Sequence, residues 1–200
     1  RNSLYLLRQS VPPDPRSERA LEIIDRQTGY LTRLIEDLLD VTRITRGQVS
    51  LQPTRLDLAE LVGRTVEDYR SIFEANGVEL RAELPAEPLW ASVDPTRFAQ
   101  AVGNLLQNSA KFTPRGGRAE VLLARDDQGR AVLEVSDTGI GIEPSVLARL
   151  FQPFSQAYQP LDRARGGLGL GLALVKGLVE LHGGEVHASS AGPGHGARFV

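Results

Sequence analysis

The sequence predicts an α+β protein: an α/β sandwich whose mixed sheet carries helices on one face, preceded by part of an antiparallel helical hairpin. Three observations predict it. Apolar residues recur at heptad spacing up to residue 45, short strand-like runs alternate with capped helices beyond Gly47, and two of those runs flank the polar turn DDQGR.

Residues 1–10 (RNSLYLLRQS) read as the end of a helix, closed by VPPDP, where proline removes backbone donors. A second helix is expected from Pro15 to Ser17 onward. Its seam runs Leu21, Ile24, Thr28, Leu31, Ile35, Leu38, Thr42 and Thr45, widened by Leu34, Leu39, Val41 and Ile44, and ends near Gly47. So wide a stripe asks for a helical bundle, most simply four helices from two copies of a helix–loop–helix. The alternative is a helix packed on the following domain.

Downstream, VSLQP is expected to be a strand, followed by a helix opened by Asp57 (57–76), strands VELRAEL and LWASV, and a helix opened by Asp94 (94–111). Runs 119–125 and 131–137 read as an antiparallel hairpin. A short helix from Glu143, a glycine-rich helix near 169–182, and strands EVHASS and ARFV complete the chain. Trp90, the single tryptophan, is expected in the sheet core; His182 suits a helix C-terminus, and His187 falls in a strand.

Composition narrows the function classes. The 200 residues contain no cysteine, which excludes disulfide scaffolds, thiolate metal sites and cysteine nucleophiles. The three histidines, His182, His187 and His195, give no zinc spacing. Net charge is −2, with +1 over the first fifty residues and −3 over the rest, so no basic surface for nucleic acid is expected. No apolar run reaches the roughly 20 residues of a membrane span, so this segment reads as soluble. Methionine is absent and the chain begins Arg-Asn-Ser, which reads as a piece of a longer polypeptide. Lys111 and Lys176 are the only lysines among 23 basic residues, so a lysine inside a motif carries more weight than usual.

Three islands carry chemistry. Asn104, Asn108 and Lys111 recur at i, i+4 and i+7 and project from one helical face. A triphosphate with Mg²⁺ suits them, since an amide oxygen is a hard ligand and an ammonium pairs with phosphate. Taken alone, the stripe reads first as a polar helix edge. Asp137-Thr-Gly139-Ile-Gly141 ends an apolar strand, where a carboxylate accepts an adenine exocyclic amine and repels the guanine carbonyl; by itself a DxGxG is a weak signal. Gly167, Leu168, Gly169, Leu170 and Gly171 open a helix whose exposed N–H groups favour an anion. The polar QPLDRAR before them excludes the buried strand of a dinucleotide fingerprint. Phe151 and Phe154 precede an aperiodic polar stretch, 155–165, an arrangement suited to a lid.

These islands resemble, in order and spacing, the boxes of sensor histidine kinases: the N box (Asn104 to Phe112), G1 box (Asp137 to Gly141), F box (Phe151 to Phe154) and G2 box (Gly167, Gly169, Gly171). Residues 16–46 resemble the second helix of that family's dimerisation and histidine-phosphotransfer hairpin. The resemblance implies the Bergerat, or GHKL, ATP-binding fold shared with gyrase, heat-shock chaperones and mismatch-repair ATPases. It implies ATP and Mg²⁺ as ligands, with Asn108 holding the metal and Asn104 and Lys111 on the phosphates. Asp137 would read adenine, Gly139 and Gly141 shape its pocket, Phe151 and Phe154 frame the lid, and residues Gly167 to Gly171, Leu168 and Leu170 included, close on the triphosphate. Arg163 and Arg165 would reach the phosphates from the lid.

Where ATPase relatives carry a glutamate base, this chain has Asn104, which has no basicity near neutral pH; that favours transfer to a protein side chain over hydrolysis. Leu168 stands where a small or hydroxyl residue is common, and Ser109, in place of the common alanine, is expected to be neutral. The resemblance also places the phosphoacceptor histidine upstream of residue 1. It thus implies residues 1–47 as a partial dimerisation hairpin, residues 48–200 as the ATP-binding domain, a homodimer in the full protein, and a response regulator as partner. It implies no nucleic-acid partner, a cytoplasmic location, and membrane contact only through upstream regions. The alternatives are a GHKL-type ATPase, an anti-sigma serine kinase, or a nucleotide-binding dimerisation module without its own catalysis.

Overall fold

The computed structural model describes residues 14–155 and 168–200. The chain divides into two compact units, residues 1–40 and 41–200.

The first unit is the body of helix α1 (Pro15–Thr45), opened by the Asp14 carboxylate, which accepts from the Ser17 amide at 3.3 Å. Its seam is solvated: Leu31 and Ile35 are 56% and 59% exposed, and Ile24, Leu38 and Leu39 are exposed too. The last turn, from Val41, belongs to the second unit. The helix stops where Gly47 turns left-handed (φ 65°), with the Gln48 amide returning to Arg43 O at 2.8 Å.

In the second unit, residues 49–53 form no strand. Pro53 offers no N–H, and the Gln52 amide is taken by Asp94 Oδ2 at 3.0 Å, so pairing begins only at β1 (Thr54–Asp57). That strand pairs antiparallel with β3 (Trp90–Val93) in a two-stranded ribbon. Leu89, Ala91 and Val93 alternate inward, which turns Trp90 out: it is 55% exposed, with the Arg55 guanidinium 5.6 Å from its ring centre. The expected core position of Trp90 is corrected by this pleat.

Asp57 caps α2 (Leu58–Asn76), accepting from Ala59 N at 3.0 Å while its same oxygen holds Leu89 N at 2.9 Å. Asp94 caps α3 (Pro95–Phe112) through Arg97 N at 3.1 Å, with Pro95 in the first turn. The Gln52, Arg97 and Thr96 backbone bonds, Gln52 first, hold Asp94 below the usual carboxylate range.

The main sheet has order β2 (Glu79–Glu83), β4 (Arg118–Arg125), β5 (Ala131–Asp137), β7 (Ala197–Phe199), β6 (Ala188–Ser189). Only β2 and β4 are parallel, so the sheet is mixed. The β4–β5 turn is closed by Asp126, whose Oδ1 accepts from Gln128 and Arg130 amides at 3.0 and 2.8 Å. Along β4, Ala119, Val121 and Leu123 are buried while Glu120 and Leu122 face solvent.

The core lies between this inner face and α2, α3 and α5 (Gly171–Leu181), through Val62, Phe73, Val102, Leu106 and Val175. Truncating fully buried Leu106 to Ala costs about 2–5 kcal/mol. A second cluster joins Val41 and Ile44 to Ala101, Leu170, Leu174 and Leu178. Gly177 permits it, since a Cβ there would stand 2.6 Å from Ile44 Cγ2. His182 ends α5 as a structural group: Nδ1–H donates to Leu178 O at 2.7 Å, and Nε2 accepts the Asp94 amide at 3.0 Å. His187 lies just before β6, its backbone paired with Val200. The short α4 (Pro144–Leu147) follows Glu143. No described helix is long and apolar enough to cross a membrane.

Candidate functional site

Helix α3 carries Asn104, Asn108 and Lys111 on one face because Leu105, Leu106 and Ala110 on the other are drawn into the core. All three polar residues are half-buried. Asn104 donates its Nδ2 to Gln100 O at 3.1 Å, leaving Oδ1 beside the start of α5, where a Cβ on Gly171 would stand 3.2 Å away. Asn108 is half-buried on the same face and bonds no side chain among the described residues. The Lys111 ammonium rests 4.5 Å from the centre of the Phe112 ring, and burial pushes its pKa down.

Asp137 closes β5, where the ladder ends opposite Ala197. Its Oδ1 accepts the Gly139 amide at 2.8 Å and the Ala197 amide at 3.3 Å, and its Oδ2 accepts the Ser109 hydroxyl at 3.4 Å. Burial raises the carboxyl pKa, and the three bonds only partly offset it. Ser109, expected to be neutral, is instead 1% exposed and bonded to the carboxylate.

The loop after Asp137 is pressed flat. A Cβ on Gly139 would lie 2.7 Å from Phe112 O, and Gly141, at φ 72°, backs onto the Gly192 carbonyl, 2.0 Å from where a Cβ would be. The C-terminal glycine loop forms the backing: Gly194 N donates to Ile140 O at 2.7 Å and Gly196 N to Gly139 O at 3.0 Å. Ser190 buckles it, accepting Ile142 N at 3.0 Å and donating to Gly196 O at 2.6 Å. The expected site residues include none of 190–197. The signal that could have found them is the alternation of Gly192, Gly194 and Gly196 just before the last strand.

Phe151 packs on the core, whereas Phe154 is exposed and left-handed (φ 63°), an uncommon backbone for an aromatic residue. Its amide donates to Gly169 O at 3.1 Å, so the two flanks of segment 156–167 meet. Leu168 is exposed and Leu170 is buried in the second cluster. Arg163, Arg165 and Gly167 lie outside the described residues. Gly171 begins α5 beside Asn104.

The site therefore has two ends on one helix. At one, Asn104 Oδ1 lies beside the N-terminus of α5; at the other, Ser109 and Phe112 O meet the Asp137 loop, with Ile140 N donating to Phe112 O at 3.1 Å. A hollow of about 460 Å³ adjoining Asp137 on the side of Ser136, His195 and Arg198 has none of the α3 stripe in its wall. The described residues hold no cluster of three or more His, Asp or Glu that could ligate a metal. A magnesium ion fits this site only as one that keeps waters and phosphate oxygens besides the Asn108 oxygen, which is its ordinary habit.

The family model described as histidine kinase-, DNA gyrase B-, and HSP90-like ATPase matches residues 93–200. The histidine protein kinase DivJ of Caulobacter vibrioides is 39% identical over 175 residues, covering 88% of this chain and 29% of DivJ. The sensor histidine kinase TmoS of Ectopseudomonas mendocina is 36% identical, covering 90% of this chain and 18% of TmoS. The chain thus spans less than a third of either relative. Among solved structures, full-length ShkA in complex with AMPPNP superposes with TM-score 0.80 at 27% identity, over 98% of this chain and 40% of that one. The mycobacterial sensor histidine kinase MprB gives 0.59 at 31% identity, over 75% of this chain and 94% of its own. With the boxes assembled on the mixed sheet as described, the chain belongs to the histidine kinase-, DNA gyrase B- and HSP90-like ATPase family, as an ATP-binding catalytic domain of the sensor histidine kinase type.

Proposed function

We propose that this chain is the kinase core of a bacterial sensor histidine kinase, which moves the γ-phosphoryl of ATP to a histidine upstream of residue 1 and thence to an aspartate of a response regulator. The observation that carries the reading is that α3 reaches both the start of α5 and the Asp137 loop. Its Asn104 Oδ1 lies beside Gly171, and its Ser109 and Phe112 O meet Asp137 and the loop that follows it.

Asp137 Oδ2 accepts the adenine exocyclic amine, and the flat 139–141 backbone lies along the base. Asn104 and Lys111 orient the phosphates, with Gly169 and Gly171 letting backbone approach them. Asn108 would hold Mg²⁺, which when bound neutralises phosphate charge. Arg163 and Arg165 add charge from the lid. Asn104, an amide already donating to Gln100 O, draws no proton from water, so the bound nucleotide is kept for a protein acceptor. His182 is no acceptor, since both ring nitrogens are engaged. The exposed seam of α1 pairs with a second copy in a cytoplasmic homodimer, residues 1–47 forming part of the dimerisation hairpin and residues 48–200 the nucleotide domain.

The test is a chain extended upstream through the preceding helix, incubated with γ-labelled ATP and Mg²⁺. Acid-labile, base-stable label on a histidine is expected, with little free phosphate. Steady phosphate release without labelled protein overturns the reading in favour of an ATPase, acid-stable label on a serine in favour of a serine kinase, and neither product in favour of a binding module.

A further inference from the structure

The two oxygens of Asp137 are held unequally. Oδ1 is saturated by two backbone amides, whereas Oδ2, the oxygen left for a ligand, has one partner among the described residues, the hydroxyl of Ser109. A buried hydroxyl on a helix has an easier partner in the carbonyl four residues back, as Thr65 shows by donating to Leu61 O at 2.8 Å. Ser109 forgoes that bond and reaches instead from α3 to the end of β5, at a position 1% exposed and directly after Asn108.

We infer that Ser109 is a positioning residue for base recognition: its hydroxyl holds Oδ2 of Asp137 ionised and aimed, so that the remaining lone pairs face the exocyclic amine. This rests on the proposed reading of Asp137 as the base acceptor. The proton logic is specific. A proton taken up by Asp137 goes to Oδ2, because Oδ1 already faces two N–H groups, and a protonated Oδ2 no longer presents its best acceptor to the amine. An O–H donor on Oδ2 opposes that protonation. At 3.4 Å the bond is long for O–H···O, so a several-fold effect is expected rather than a hundredfold one.

The experiment measures the affinity of a ribose-labelled fluorescent ATP analogue with Mg²⁺ from about pH 8 down to about pH 5.5. It compares the wild type, Ser109→Ala, Asp137→Asn and the double variant, each checked by thermal melting. Taking the ratio of variant to wild type cancels protonation of the ligand. The Ser109→Ala ratio is expected to be about two- to threefold at the alkaline end and to grow towards about tenfold on acidification, then to vanish in the Asp137→Asn background. A ratio that is flat with pH and persists in that background overturns the inference, because Ser109 then only packs. A Ser109→Ala protein that binds like wild type at every pH also overturns it, and leaves the Asp137 reading standing. An Asp137→Asn protein with unchanged affinity fails the reading itself.

Discussion

The two ends of the proposed nucleotide site, the base end at Asp137 and the phosphate end at Asn104, Asn108 and Lys111, differ in how much of their geometry exists before a ligand arrives. At the base end the carboxylate is held by three donors, the loop that follows it is fixed by four backbone or serine bonds, and the glycines at 139 and 141 leave no room for a side chain. At the phosphate end Asn108 has no side-chain partner among the described residues, Lys111 rests on a neighbouring ring, and the flanks of segment 156–167 meet through the Phe154 amide hydrogen bond to Gly169 O. The difference teaches a division of labour. A flat neutral base is selected by a rigid surface, because hydrogen-bond direction discriminates only when fixed. A flexible, multiply charged tail with a hydrated metal is better met by side chains that can adjust.

The comparison breaks most visibly at Asp137. Asp137→Asn leaves shape intact and replaces an acceptor with a donor, so affinity for both adenosine and Mg·ATP falls by about 30- to 100-fold in equilibrium binding. Stability moves the other way. Folding raises this carboxyl's pKa, so its contribution is full below the unfolded value and is lost as pH rises through the folded one. Calorimetry should therefore find the Asn variant melting a few degrees above wild type at neutral pH, with the gap shrinking on acidification.

Gly141→Ala tests whether the base end is rigid. The added methyl meets the Gly192 carbonyl and strains a left-handed backbone, so about 1–3 kcal/mol of stability and about tenfold in adenosine affinity are lost in denaturant and binding titrations. At the adjustable end, Asn108→Ala weakens ATP binding about tenfold with Mg²⁺ present and hardly at all when the metal is chelated. The smallest effect belongs to Lys111→Ala: about threefold on ATP at low salt, none on adenosine, and none on either at high salt, as expected of a partly exposed charge.

The same contrast explains what was legible in the sequence. The phosphate-end residues lie on one helix, where i, i+4, i+7 spacing implies a shared face, and Asp137 follows an apolar strand that ends abruptly. Caps at Asp57 and Asp94 and the DDQGR turn are local chemistry, so their elements formed where expected. What was not legible depends on long-range contact. Ser109 meets Asp137 across 28 residues, and Ala197 meets it across 60, pairings that no local pattern encodes. Trp90 reads as core by size alone, yet the pleat of its ribbon faces it outward. The expected strand at 49–53 lost its pairing to a tertiary bond from Asp94. The α1 stripe was legible as a seam, and its exposed leucines and isoleucines stay consistent with the proposed second copy.

The most direct test of one divided site is a matrix of two ligands and three proteins: adenosine and Mg·ATP titrated against wild type, Asp137→Asn and Asn108→Ala. The account predicts that Asp137→Asn weakens both ligands by the same factor, while Asn108→Ala weakens Mg·ATP alone. An Asn108→Ala loss that is equal for adenosine, or an Asp137→Asn loss confined to ATP, would contradict it.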